Sequence, residues 1–199
     1  MFNNKYIQIF LIFLTLPFIA LSQEEEVKEK GEYALVAFVG GGISFFQGHA
    51  GTPGSLNAVV NRKAPIGTVR LMWYPDQLLR VGLESGWVKF YSYKIDDNGV
   101  KSSTEITGTP ILVVFSMAFL NHLNVYGGTG TYLVQSKLNY NGEVKATVAS
   151  LGWMLAAAYD IPLSQNLGVT SEAKWLWASG PKNGSISLQL HLRWKFLRW

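Results

Sequence analysis

The chain has 199 residues, with 17 Lys and Arg against 13 Asp and Glu, a formal net charge of +4, 14% aromatic residues and no cysteine. The lack of cysteine excludes disulfides, thiol catalysis and thiolate metal sites. The basic residues are dispersed rather than clustered, which argues against a nucleic-acid partner.

The N-terminus opens with Met-Phe-Asn-Asn-Lys, then an apolar run from Ile9 to Leu21 and small residues ahead of Gln23. That order predicts a secretory signal peptide over residues 1–22, cleaved after Ser22. The run is too short to span a bilayer as a helix and contains Pro17. Residues 23–32 are charged and lack periodicity, so they read as a flexible lead-in. Residues 33–199 are left as one domain, poor in helix signals and rich in Gly, aromatics and β-branched residues, an all-β composition.

Strand patterns and turn signals then alternate at nearly even spacing, predicting eight strands at about 33–46, 64–74, 78–93, 104–119, 122–136, 145–160, 166–178 and 185–196. The second, fourth and sixth are followed by short turns: Pro75-Asp76-Gln77, the Leu120-Asn121 corner and Pro162 to Asn166. The others lead into more polar loops, from Gln47 to Lys63, Asp96 to Gly99, Asn139 to Gly142 and Gly180 to Gly184. Asn-Gly pairs tolerate the positive φ of tight hairpins.

The last strand is the clearest. Ile186, Leu188, Leu190, Leu192, Trp194 and Phe196 occupy one face, and Ser187, Gln189, His191, Arg193 and Lys195 the other. A period of two sends successive side chains to opposite faces of a strand. Similar alternation sets Leu79, Val81, Leu83 and Trp87 against Arg80, Gly82, Glu84 and Gly86. It sets Leu151, Trp153, Leu155, Ala157 and Tyr159 against Ser150, Gly152 and Asp160, and Leu167, Val169, Ala173, Trp175 and Trp177 against Gly168, Thr170, Glu172 and Lys174. The first, fourth and fifth strands are apolar on both faces or Gly-rich, so their faces stay open. Charges opposite tryptophans suit a barrel with lipid outside and a polar interior. Aromatics would form two interfacial girdles, Trp73, Tyr74, Tyr159, Trp194 and Trp199 at one end, and Tyr91, Tyr93, Trp175 and Trp177 at the other.

With its signal peptide, eight strand patterns, alternating connection lengths and aromatic C-terminus, the chain resembles the small outer-membrane β-barrels of the OmpA/OmpX type over residues 33–199. The resemblance implies an eight-stranded antiparallel up-and-down transmembrane barrel in the outer membrane of a Gram-negative-type bacterium. Both termini would be periplasmic, and the protein a monomer among outer-membrane lipid and lipopolysaccharide. It also implies a C-terminal aromatic read by the barrel-assembly machinery. Phe196 is in phase with the lipid-facing residues and Trp199 is not, so either a bulge resets the phase or the strand stops at Phe196.

Arg70, Arg80, Glu84, Glu172, Lys174, His191, Arg193 and Lys195 are the candidate interior residues. An eight-stranded lumen is just wide enough for side chains to fill, and unpaired charges there are costly. They read as a structural polar plug in which Glu172 pairs with His191 or Arg193, with a narrow proton or ion path as the alternative. Among enzymes on this scaffold, a lipid A deacylase would need a lipid-facing His with a nearby Ser. His122 has none at the required spacing, and His191 and Ser187 face inward. A palmitoyltransferase would need a lipid-sized interior pocket, which a polar lumen opposes. The glycine runs Gly40-Gly41-Gly42 and Gly127-Gly128-Thr129-Gly130 lack the Lys-Ser/Thr and helix of a phosphate loop. His49, His122 and His191 are scattered, so no metal or other cofactor is expected. Loop cations Arg62, Lys63, Lys101, Lys137, Lys145 and Lys182 would suit lipopolysaccharide phosphates. The expected role is structural, surface-interaction or minor-permeability, without catalysis. The alternatives are a secreted soluble barrel binding a small apolar ligand, with its faces inverted, and a lipid A-modifying enzyme.

Overall fold

A computed structural model describes residues 33–48, 58–75, 79–97, 100–120, 122–139, 142–181 and 183–199. The expected signal peptide and lead-in, with parts of several connections, lie outside the described residues. Nine strands follow in chain order: β1 (Ala34–Phe46), β2 (Ala58–Asn61), β3 (Lys63–Tyr74), β4 (Leu79–Asp97), β5 (Val100–Leu120), β6 (Leu123–Asn139), β7 (Glu143–Pro162), β8 (Leu167–Ala178) and β9 (Asn183–Arg198). All pairings are antiparallel. The ring β1–β3–β4–β5–β6–β7–β8–β9 closes on β1, because β4 pairs with β5 and β9 with β1. Closure removes the sheet edges that an open sheet would expose. Short β2 continues the line of β3 along β4, pairing Asn61 with Ser92, so the barrel has eight staves.

Every stave alternates, which settles the faces that the sequence left open. Val39 and Ile43 of β1, Ile111, Val113, Phe115 and Met117 of β5, and Val125 and Leu133 of β6 are exposed on the outer wall. They join Leu83, Leu155, Trp175, Leu188, Leu190 and Leu192. The interior holds Arg70, Glu84, Glu172 and Lys174, all within 1% of full burial. Apolar outside and charged inside is the arrangement of a barrel bathed in hydrocarbon, since each exposed apolar side chain would be unfavourable against water. The inverted arrangement of a soluble ligand-binding barrel does not occur.

At the end that carries Tyr33 and the C-terminal Trp199, a bulge decides the phase of the last strand. Leu35 pairs with Leu197 and Val36 with Lys195, so Phe196 is the extra residue on β9. One extra residue shifts alternation by one. Leu197 and Trp199 are thereby exposed at 50% and 60%. Tyr33 and Trp199 exchange backbone hydrogen bonds at 2.9 and 3.1 Å, and the Tyr33 ring stacks between Trp199 and Trp73. Of the two readings of the C-terminus, the bulge is the one found.

Three corrections concern the ends of the staves. Tyr74, expected in the interfacial girdle, is buried inside with Arg80 stacked on its ring at 4.1 Å. Two connections are shorter than expected because the strands beside them run on: β4 continues past residue 93 and β5 begins before 104, pairing as far as Asp97↔Val100, and β6 continues past 136 to pair Asn139 with Glu143. Tyr91 and Tyr93, expected to face lipid, face inward instead. The β4–β5 register shifts between Lys89 and Tyr91 as Phe90 bulges, so Tyr91 pairs with Ile106 and Tyr93 with Thr104.

Candidate functional site

The centre of the lumen is built from three staves. Arg70 on β3 lies directly across the ladder from Glu84 on β4. Glu172 and Lys174 are two apart on β8, so both point to the same side of the sheet. Arg70 Nε donates to Glu84 Oε2 at 2.7 Å, and its terminal nitrogens meet Glu172 Oε2 and Oε1 at 2.9 and 3.1 Å. Lys174 Nζ bridges Glu84 Oε1 at 2.8 Å and Glu172 Oε1 at 2.9 Å. Two cations thus alternate with two carboxylates in a closed, electroneutral ring whose side chains have no solvent exposure. Tyr126 covers the Arg70 guanidinium, with its ring centroid 4.3 Å away. Such desolvation is tolerable because every charge has two opposite neighbours.

Towards the terminal end lies a second polar layer. Asp160 accepts from Thr170 Oγ1 at 2.5 Å and from Asn124 Nδ2 at 2.9 Å, and pairs with Arg193 at 3.3 Å. Arg80 donates to Asn124 Oδ1 at 2.8 Å. Beside the charged ring, Thr68 on β3 reaches Gln189 Oε1 on β9 at 2.8 Å, and His191 Nε2 lies 3.2 Å from that same oxygen. Stave β1 intervenes between β3 and β9, and its inward positions here are Gly40 and Gly42. A Cβ at Gly40 would lie 2.7 Å from the His191 ring, and one at Gly42 2.7 Å from the Gln189 backbone. The glycine run therefore lets side chains from both neighbouring staves meet over β1.

Towards the other end the filling turns apolar: Phe46, Ile66, Val88, Phe90, Leu112, Tyr132 and Leu176 are all buried. Phe90 sits between Phe46 and Tyr132, with centroids 6.2 and 6.4 Å apart.

All eight residues singled out by alternation point inward. The structure brings together four of them, Arg70, Glu84, Glu172 and Lys174. Arg80 and Arg193 belong to the Asp160 layer, His191 to the Thr68–Gln189 group, and Lys195 lies half-buried near the terminal end. Glu172 pairs with Arg70 and Lys174, which corrects its expected pairing with His191 or Arg193. Strand β9 does neighbour β8, but the register puts Gln189 opposite Glu172, while Arg70 reaches across the lumen. Sequence reasoning set Asp160 on the polar face with Ser150 and Gly152 but not among the candidate interior residues, and it missed Asn124. It also missed the covering ring of Tyr126. Ser187 is held by Gln189 Nε2 at 3.0 Å, and His122 stacks against Tyr159 at 5.9 Å. Among the described residues no cluster of three or more His, Asp or Glu could hold a metal ion.

These features define a class, the small eight-stranded transmembrane β-barrel with a side-chain-filled lumen. No protein-family model and no curated protein matches the chain. Solved structures similar to it include Ail, the attachment invasion locus protein of Yersinia pestis (8% identity, covering 85% of this chain and 99% of that one, TM-score 0.46). They also include Neisserial surface protein A (16% identity, 83% and 97%, TM-score 0.38) and the outer membrane protein OprG from Pseudomonas aeruginosa (13%, 83% and 96%, TM-score 0.41).

Proposed function

We propose that this protein is a non-enzymatic outer-membrane barrel of a Gram-negative-type bacterium, with periplasmic termini and a working surface on the sheet that projects from its opposite end. One observation carries the reading. The wall of β8 pairs with β7 only from Gly152 to Pro162, yet β7 continues paired to β6 back to Glu143. Residues 142–149 are exposed throughout. Strand built beyond the lipid band adds nothing to spanning, so it serves contact with something outside.

The filled lumen supports the same reading. A charged ring, a polar layer and an aromatic layer stacked in one eight-stranded barrel leave side chains where a solute path would have to run. Partners follow from surface chemistry. Arg62 and Lys63, at the rim, suit lipopolysaccharide phosphates, while Lys137 and Lys145 stand further out and pair with Glu143. Trp199, brought into lipid-facing phase by the bulge, suits recognition by the assembly machinery. The protein is a monomer within its membrane.

The test is trypsin treatment of intact cells expressing the protein, followed by fractionation and detergent gels run with and without heating. The expected result is cleavage at Lys137 or Lys145 from outside, an outer-membrane barrel core and heat-dependent mobility. Recovery in a soluble fraction without detergent, or protection of the hairpin in intact cells, would overturn the reading. Conductance of the purified protein in a planar bilayer would overturn the closed lumen.

A further inference from the structure

Beyond the wall, β2, β4, β5, β6 and β7 continue as a projecting sheet, and its two faces differ. The face continuing the outer wall carries Lys89, Lys94, Glu105, Gln135, Lys137, Glu143, Lys145 and Thr147. The face over the barrel mouth carries Tyr91, Tyr93, Ile106, Val134, Leu138, Val144 and Val148. The sheet ends at β7. Among the described residues no strand pairs with the free side of residues 143–150, and the first β8 partner is Gly152. A bare strand edge presents unpaired N–H and C=O groups and so templates a further strand.

Two features make this edge receptive. Its lysine, the residue that ordinarily discourages strand addition, is engaged. Glu143 Oε1 holds Lys145 at 2.7 Å, and its Oε2 holds Lys137 on the neighbouring strand at 3.2 Å. Val144 and Val148, at the apolar margin, are 62% and 61% exposed.

The edge also matches itself. Placed antiparallel to a second copy with Ala146 opposite Ala146, Val144 faces Val148, Lys145 faces Thr147 and Glu143 faces Ala149. Apolar residues meet on the mouth-facing side, and no like charges sit directly opposite. Copies standing in one membrane present this strand running the same way relative to the bilayer. Copies in two facing membranes, related by a two-fold axis in the plane between them, present it antiparallel. From this complementarity we propose that residues 143–149 pair with the same segment of a second copy in an apposed membrane, making the protein a homotypic membrane-to-membrane linker. The proposal rests on the surface-interaction reading but is narrower, and it can fail while that reading stands.

Many weak strand pairs acting together between two surfaces give avidity that one pair lacks. Vesicles reconstituted with the full barrel should therefore cluster, read as turbidity or scattering. Val144→Lys with Val148→Lys should cut the initial clustering rate about tenfold or more, because lysines would then oppose lysines across the junction. Val144→Asp with Val148→Asp should do the same. Mixing the two vesicle populations should restore clustering, since aspartates would then oppose lysines. Because the chain lacks cysteine, Ala146→Cys gives a second reading: mild oxidation should yield a covalent dimer between vesicles, and Ala149→Cys far less. Dispersed wild-type vesicles, failure of the mixture to recover, or equal cross-linking at both positions would overturn the proposal. Dispersed vesicles carrying a barrel that trypsin still cleaves from outside would leave the edge to a different chain.

Discussion

Between Ser150 and Pro162, β7 sends Leu151, Leu155 and Ala157 outward and buries Ser150, Met154, Ala156, Ala158 and Asp160. Between Glu143 and Ala149 the same strand keeps its alternation but exchanges the polarity of its faces, with Glu143, Lys145 and Thr147 outward and Val144 and Val148 towards the mouth. On β4 the exchange is made by geometry as well as sequence. Without the Phe90 bulge, Tyr91, Tyr93 and Ile95 would fall on the outer side and Ser92 and Lys94 on the inner. Backbone pairing is continuous through both regions, so hydrogen bonding does not distinguish them. The surrounding solvent does: hydrocarbon rewards apolar side chains outside, and water rewards polar ones. The line where polarity reverses, near Ser150 on β7 and Phe90 on β4, marks the membrane boundary at this end.

The strongest break of that comparison comes from the buried centre. Arg70→Met leaves Glu84 and Glu172 sharing only Lys174, and should lower barrel stability by about 3–5 kcal/mol. Adding Glu84→Gln leaves the balanced pair Lys174–Glu172 and should recover part of that loss. Denaturant unfolding in detergent micelles measures both. A single variant as stable as the parent would mean the ring does not organise the lumen.

Next is the wall itself. Leu155→Arg puts a cation on the lipid face and should cost about 2–4 kcal/mol if it lies near the midplane. Val148→Arg, seven residues back on the same strand but beyond the reversal, should stay within about 0.5 kcal/mol of the parent. Equal losses at the two sites would put the membrane boundary elsewhere.

Much of the wall was legible because alternation is a local property. Stave β9, with Leu188, Leu190 and Leu192 against Gln189 and His191, declares its faces without any neighbour. Bulges are not local in that sense. Phe196 and Phe90 become extra residues only when a partner's register is known, which is why the phase of Trp199 stayed open and Tyr91 and Tyr93 were assigned to the wrong side. The charged ring was half legible. Parity places Arg70, Glu84, Glu172 and Lys174 inside, but partners depend on which side chains can cross the lumen. Arg70 spans it and His191 turns to Gln189, facts set by curvature and by Gly40 and Gly42 rather than by sequence separation. The ends of the long hairpins were partly legible: the pattern over 145–160 already carries β7 beyond Ser150, whereas Lys94 to Asp97 reads as loop because polar residues and turn signals look alike in either case.

The terminal end gives a smaller effect. Trp199→Ala removes the stack on Tyr33 that joins the first and last staves, and should cost about 0.5–1.5 kcal/mol beyond the area lost. Phe196→Ala, at the bulge, should cost less, since that residue closes no pair with β1. A larger loss at Phe196 in the same unfolding assay would mean that the phase reset does not govern closure of the barrel.

The smallest effect belongs to the projecting hairpin, and it depends on pH. Hydrogen bonds from Lys145 and then Lys137 hold the Glu143 carboxyl below the usual glutamate range. A carboxylate whose folded pKa is depressed contributes stability above its unfolded pKa, and that contribution disappears as pH falls through the folded value. Glu143 is fully exposed, so the interaction is screened by salt and modest. Amide exchange at residues 143–148, corrected for the intrinsic pH dependence of exchange, should show protection that is constant above a pH of about 4.3 and weakens below it. Residues 152–160 of the same strand serve as the internal reference, since their pairing with β8 involves neither Lys137 nor Lys145. Glu143→Gln should remove the acid-dependent weakening and leave the hairpin at its low-pH protection throughout. Loss of protection on acidification in the Gln variant as well, or an equal loss along the whole of β7, would separate the hairpin's stability from this carboxylate and tie it to the barrel below.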